Sequence, residues 1–192
     1  MPVEVSMGSP ASGTRPQRDR NSTVNSLAAS IREGRLSAGD MAELRRLDPA
    51  DPSSAAFWKI AGSVLEPDGW LRGDGETRNE EERRWAVILR AIATLAPLHT
   101  PGRRLGAALA EGELSEVRFV RLLRARGEIL RRETRTVASL LASKAVRVDL
   151  AGLAGLVLSE GGDREEDARR RIARDYYREL GRGASNETKS SR

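Results

Sequence analysis

The chain has no cysteine, which excludes a disulfide scaffold, thiolate zinc sites and cysteine nucleophiles. It has one histidine, His99, and so cannot run any mechanism that needs two imidazoles. Aromatic residues are scarce: 3 Trp, 2 Tyr and 2 Phe. Modules that read or grip single strands by stacking bases on rings have little to work with here. No apolar run approaches the roughly 20 residues of a membrane span, and there is no secretory apolar segment. A soluble, cytoplasmic protein without membrane partners is expected. β-branched aliphatics are few as well, with 11 Val and 6 Ile against 25 Ala and 22 Leu. Unbranched side chains keep their rotamer freedom in helices, so this balance favours an all-α chain.

What is abundant is arginine, 30 of the 33 basic residues. A GC-rich genome can produce that bias, so the distribution says more than the total. Between Arg83 and Lys144 stand 13 basic and 5 acidic residues, a local excess of 8 against +5 for the whole chain. A cationic middle flanked by nearly balanced ends is the electrostatic footprint of a polyanion partner. The 192 residues suit a compact multi-helix bundle of one or two small helical subdomains.

Residues 1–22 lack periodicity and are rich in Pro, Gly and Ser, which reads as a disordered tail. Helices are expected over 23–33, 38–47 (Ser37 as cap) and 53–65, with a Gly- and Asp-rich loop over 67–78. The clearest helix spans 80–96, capped by Asn79, with Glu80, Glu81 and Glu82 in its first turn. Its Trp85, Ile88, Leu89, Ile92, Leu95 and Ala96 define one buried face. Further helices are expected at 102–111, from Ser115 to about 145 with an interruption at Gly127, at 149–158, and at 164–180. In the last of these, Arg170, Arg171, Arg174 and Arg178 interleave with acids and read as a solvated, self-neutralised face. Val146-Arg147-Val148 alternates like a strand but has no visible partner. A Gly-x-Gly stop at Gly181 opens a second disordered tail, 181–192. The helical domain is thus 23–180.

On a helical wheel of 115–145, Phe119, Leu122, Leu123, Ile129, Leu130, Val137, Leu140 and Leu141 share one arc. Arg121, Arg124, Arg131, Arg132 and Arg135 occupy the opposite arc, with Arg118 at its edge. Glu128 is the only carboxylate among them; Arg126, Glu133 and Lys144 fall in the apolar arc. A basic face can be merely solvated, but unpaired like charges repel, and guanidinium suits bidentate contact with phosphate. Backbone-tracking, sequence-independent, salt-sensitive binding is expected. Trp70 is the one candidate for base stacking. A helix-turn-helix over 104–124, with 115–124 as recognition helix, is an alternative, although Val117, Phe119, Val120, Leu122 and Leu123 make that helix too apolar for a groove. For catalysis, His99 stands between Pro97 and Pro101 without triad partners, and Gly73-Asp74-Gly75 lacks the lysine and helix of a phosphate-binding loop. Acids are plentiful enough for a metal-dependent nuclease, but no spacing singles out a ligand set.

Several stretches in order resemble the small subunit (CasB family) of the type I-E CRISPR Cascade complex: Gly39-Asp40-Met41-Ala42-Glu43-Leu44-Arg45-Arg46, Phe57-Trp58, Glu82-Arg83-Arg84-Trp85, Gly102-Arg103-Arg104-Leu105-Gly106-Ala107-Ala108-Leu109, Ser115 to Ala125, Leu141-Ala142-Ser143-Lys144 through Val148-Asp149, and Ile172-Ala173-Arg174-Asp175-Tyr176-Tyr177. The resemblance covers about 27–180, and its specificity lies in the order of the pieces. It implies an all-helical, non-catalytic subunit, present as two copies, that contacts backbone and large subunits of a crRNA-guided complex. It further implies that the subunit helps hold the target and displaced strands of the R-loop. By position, Arg103, Arg104, Arg118, Arg121 and Arg124, then Arg131, Arg132, Arg135 and Lys144, are the expected phosphate contacts, with no cofactor. Arg45 and Arg46 match too, with a carboxylate or a partner subunit as alternative company.

Overall fold

Side-chain caps set the starts of four helices in the computed structural model, which describes residues 19–190. Helix α1 (Arg20–Arg32) begins three residues earlier than expected, because the Asp19 carboxylate accepts the Ser22 N–H at 3.1 Å. Of the tail assigned to residues 1–22, residues 1–18 lie outside the described residues, and Arg20, Asn21 and Ser22 belong instead to α1. Helix α2 (Ala38–Arg46) opens on a reciprocal pair between Ser37 and Asp40, each side chain accepting the other's backbone N–H, a capping box. Helix α3 (Ala55–Ile60) is capped by Ser54, but the expected single helix to residue 65 changes its hydrogen bonding at Ala61 and finishes as a π turn, Ala61–Leu65.

Helix α4 (Gly75–Leu95) starts five residues before the expected position and takes over the end of the expected loop. Its first turns hold no apolar residue for a periodicity to reveal. Charge holds them: Arg78 donates to Glu82 at 2.6 Å and to the Leu71 carbonyl at 3.0 Å, and pairs with Glu66. Glu81 in turn accepts the Arg72 N–H at 2.8 Å, which ties the loop to the helix. A 3-10 turn, Ala96–Leu98, follows.

The second half contains α5 (Leu105–Glu111), α6 (Glu116–Arg124), α7 (Gly127–Ser143), α8 (Leu150–Leu158) and α9 (Glu165–Ser190). α9 passes straight through Gly181 and Gly183. Glycine inside a helix costs only about 1 kcal/mol, so without a left-handed cap it does not end one.

One contiguous apolar cluster runs from Val24 in α1 to Tyr176 in α9, so the helices share a single core. α4 lies at its centre, with Trp85, Ile88, Leu89, Ile92 and Leu95 all buried, and it touches α1, α2, α7 and α8. α5 and α9 approach closest. A Cβ at Gly106 would lie 2.2 Å from the Ile172 carbonyl oxygen and 2.7 Å from the Tyr176 nitrogen. Tyr176 stacks on Phe119 with 3.7 Å between ring centres and donates its hydroxyl to the Leu114 carbonyl at 2.5 Å. α6 is thereby clamped to α9.

The short alternation at 146–148 does find a partner. Val148 bridges in parallel to the segment around His99, exchanging hydrogen bonds with Leu98 (3.1 Å) and Thr100 (3.0 Å). His99 itself is buried. Its Nδ1 accepts the Leu150 N–H at 3.2 Å, so Nε2 carries the proton and donates to the Asn25 Oδ1 at 2.9 Å. Trp70, the expected stacking residue, also turns inward. Its Nε1 donates to the Thr23 hydroxyl at 3.0 Å and its ring meets Trp85 edge-on, so the ring is partly buried against the core.

Candidate nucleic-acid interface

The basic row expected along one long helix is divided. α6 ends at Arg124, Ala125 and Arg126 are extended, and Gly127 starts α7 with a φ of +53°. Residues that the wheel did not single out build this break. Arg169, only 4 % exposed, donates to the Leu123 and Ala125 carbonyls at the end of α6 and bonds Glu165 at 3.0 Å. Arg126 adds bonds to the same two carbonyls (3.3 and 3.0 Å) and pairs with Glu165. Glu160 accepts the Gly127 N–H. The freed carbonyls of a helix end find cationic donors, which the helix dipole also favours.

The arginines of the wheel therefore fall into two groups. On α6, Arg118 and Arg124 are exposed and bond no carboxylate among the described residues, whereas Arg121 pairs at 3.0 Å with Glu133. Glu133 was expected to be an anomaly of the apolar arc; it is buried and reaches Arg121 with its carboxylate. On α7, Arg131 pairs with Glu80 at 3.2 Å, while Arg132 and Arg135 stand exposed without a carboxylate. Of the remaining expected contacts, Arg103 pairs with Glu111, Arg104 with Asp175 at 2.8 Å, and Lys144 with Glu113. The scarcity of acidic partners inferred from helix spacing is thus corrected. Partners arrive from other elements, which i±4 bookkeeping along one helix does not see. The exposed pairs among these are worth about 0–1 kcal/mol and weaken the competition for phosphate without abolishing it, whereas Arg121 is held by a buried carboxylate that would be stranded without it.

The structure assembles a site that the wheel did not contain. α7 lies beside α4, and the end of α2 closes the valley between them into a groove of about 760 Å³. Arg45, Arg83, Arg90, Arg131, Arg132 and Arg135 line it, against only Asp48 and Glu128 as acids. Arg45 donates to the Ala93 carbonyl at 3.1 Å and Arg90 to the Leu47 carbonyl at 2.8 Å. Both therefore hold α2 against α4 with their charge uncancelled. Burial lowers the Arg90 pKa below the ordinary arginine value, and Arg135 lowers it further by repulsion, with Asp48 partly opposing. Like charges are being held together by the fold, an arrangement that a polyanion relieves. The missed half of the groove did leave a trace in the sequence. Arg83, Val87, Arg90 and Thr94 recur at 4-3-4 spacing, a second stripe of α4 beside its apolar one.

Among the described residues, no group of three His, Asp or Glu side chains is placed to hold a metal ion, and the His99 ring is sealed in the core. No helix among the described residues is long and apolar enough to cross a membrane. The α5–α6 pair makes a poor recognition module: α5 is almost wholly buried, and Phe119 and Leu122 of α6 face the core.

Known proteins share this fold. The structure is similar to CasB of M. ruber, with a TM-score of 0.63 and 20% identity over 85% of this chain and 97% of that one. CasB from Thermus thermophilus matches with a TM-score of 0.60 and 26% identity, over 84% and 99%. A chain of E. coli Cascade bound to a PAM-containing dsDNA target matches with a TM-score of 0.60 and 18% identity, over 87% and 99%. No curated protein matches the sequence. The family model of CRISPR-associated protein Cse2 matches residues 40–177, a span that takes in the groove, the α6–α7 break and the α5–α9 clamp. The chain belongs to the Cse2 family of CRISPR-associated proteins.

Proposed function

We propose that this chain is a non-catalytic small subunit of a type I-E CRISPR surveillance complex, and that it grips nucleic-acid backbone to favour the R-loop. The observation that carries this reading is the α4–α7 groove, lined by six arginines and two acids, in a fold shared with a chain of a DNA-bound Cascade. Arg83 and Arg131 of the groove pair with Glu76 and Glu80 from α4, and the other four bond no carboxylate among the described residues. R-loop formation exchanges duplexes of nearly equal stability, so modest protein contacts to the strand backbones decide it. Arg132 and Arg135, exposed and without a carboxylate, are the principal phosphate contacts, supported by Arg131 from the same helix. Arg118 and Arg124 on α6 extend the surface past the break, while Arg121 stays on the buried Glu133 carboxylate. Arg103, Arg104 and Lys144, each in an ion pair, contribute less. None of the groove residues is aromatic, so binding follows phosphates and ignores base identity. The partners are crRNA, the target and displaced DNA strands, the backbone and large subunits, and a second copy of this chain.

The test is to assemble the complex with the chain, without it, and with Arg132→Ala/Arg135→Ala, and to measure duplex target binding and strand opening. The expected result is weaker, less complete opening in the last two cases, with DNA left intact by the isolated chain in magnesium. Equal opening in all three, or DNA cleavage by the isolated chain, would contradict the proposal.

A further inference from the structure

A second cationic cleft, of about 510 Å³, opens on other elements, between the start of α1, α5, α8 and α9, and shares no lining residue with the groove. Arg171 and Arg174, expected as part of a self-neutralised face, line it and bond no carboxylate among the described residues. Arg20 reaches in from α1 and lies over Gly155, where a Cβ would come within 3.0 Å of its guanidinium carbon. Its Nε is shut off from water and has no hydrogen-bond partner. A buried donor left unsatisfied destabilises the fold that encloses it. Burial lowers the Arg20 pKa, and Arg171 and Arg164 lower it further, with Asp19 and Asp149 opposing. The acids of the cleft are already engaged. Asp149 accepts the Gly102 and Ala151 N–H groups at 2.8 and 2.9 Å, and Asp175 pairs with Arg104 and Arg178.

We propose that this cleft is a separate binding site for a phosphate-bearing anion, a phosphodiester of a nucleic-acid strand or a free diphosphate, held by Arg20, Arg171 and Arg174. Three guanidiniums from two helices, with glycine instead of side chain on the α8 wall, match a small oxyanion with several acceptors better than a single carboxylate. The site does not depend on the role given to the α4–α7 groove.

The test uses the full chain and inorganic pyrophosphate, followed by calorimetric titration and thermal melting. Wild type should bind pyrophosphate and melt at a higher temperature with it. Arg171→Ala/Arg174→Ala should weaken the binding roughly tenfold or more, which is about 1.4 kcal/mol, with an unchanged melt in its absence. Arg35→Ala, at an exposed position that lines neither the cleft nor the groove, should bind it as wild type does. Competition by a thymidine oligonucleotide would identify a strand as the source of the phosphate, and lack of competition a free diphosphate; both outcomes support the site. Absence of binding at millimolar pyrophosphate, or a loss in Arg35→Ala equal to that in Arg171→Ala/Arg174→Ala, would overturn it.

Discussion

At the level of single side chains, two buried residues carry more structure than their types suggest. Arg169 ends α6 by serving two carbonyls and Glu165 at once. Removing it leaves those groups to the more exposed Arg126 alone and takes the buried donor from Glu165. Arg169→Ala is expected to cost about 3 kcal/mol and to loosen α6, which urea unfolding and amide exchange at 119–125 would read. His99 sets a pH dependence. Burial lowers its pKa below the ordinary 6.5, and Asp149 offsets part of that shift. The unfolded chain then takes up a proton that the folded chain refuses. The His99 contribution is therefore full above pH 6.5 and declines as pH falls toward the lower folded value. Urea midpoints at about pH 8 and about pH 5.5 should show a larger drop for wild type than for His99→Gln; an equal drop would assign the effect to other groups.

Among the helices, contacts between elements decided what a reading of one element at a time could not. The α4 face from Trp85 to Leu95, the Ser37 cap and the interruption at Gly127 are legible in the sequence because each rests on local periodicity or capping. The α4 start at Gly75 is not, since ion pairs replace apolar residues there. The division of the arginine row is half legible. Gly127 announces a break, but the donors that shape it come from α9. Glu133 looked misplaced for the same reason, as its partner Arg121 sits on another helix. The α5–α9 contact offers a direct check at this level. Gly106→Ala puts a methyl group into the α9 backbone and is expected to cost about 2 kcal/mol. Thermal unfolding should show it, together with loss of the Phe119–Tyr176 stacking signal in near-ultraviolet dichroism. A wild-type melt for this variant would mean that α5 and α9 are less tightly joined than described.

For the molecule as a whole, the fold presents cations on two separate surfaces around one apolar core. The groove between α4 and α7 gathers charges that lie up to 90 residues apart in the chain, from Arg45 to Arg135, and no reading along one helix could have joined them. Gathering them does not create base specificity, because guanidiniums on phosphates count charge and not sequence. Single-stranded oligonucleotides of unrelated sequence, titrated with the full chain over a range of sodium chloride, put this to the test. Arg132→Ala/Arg135→Ala should reduce the slope of log affinity against log salt by about 1.5, with the same loss for every sequence. A slope equal to that of wild type, or a loss confined to one sequence, would contradict the account.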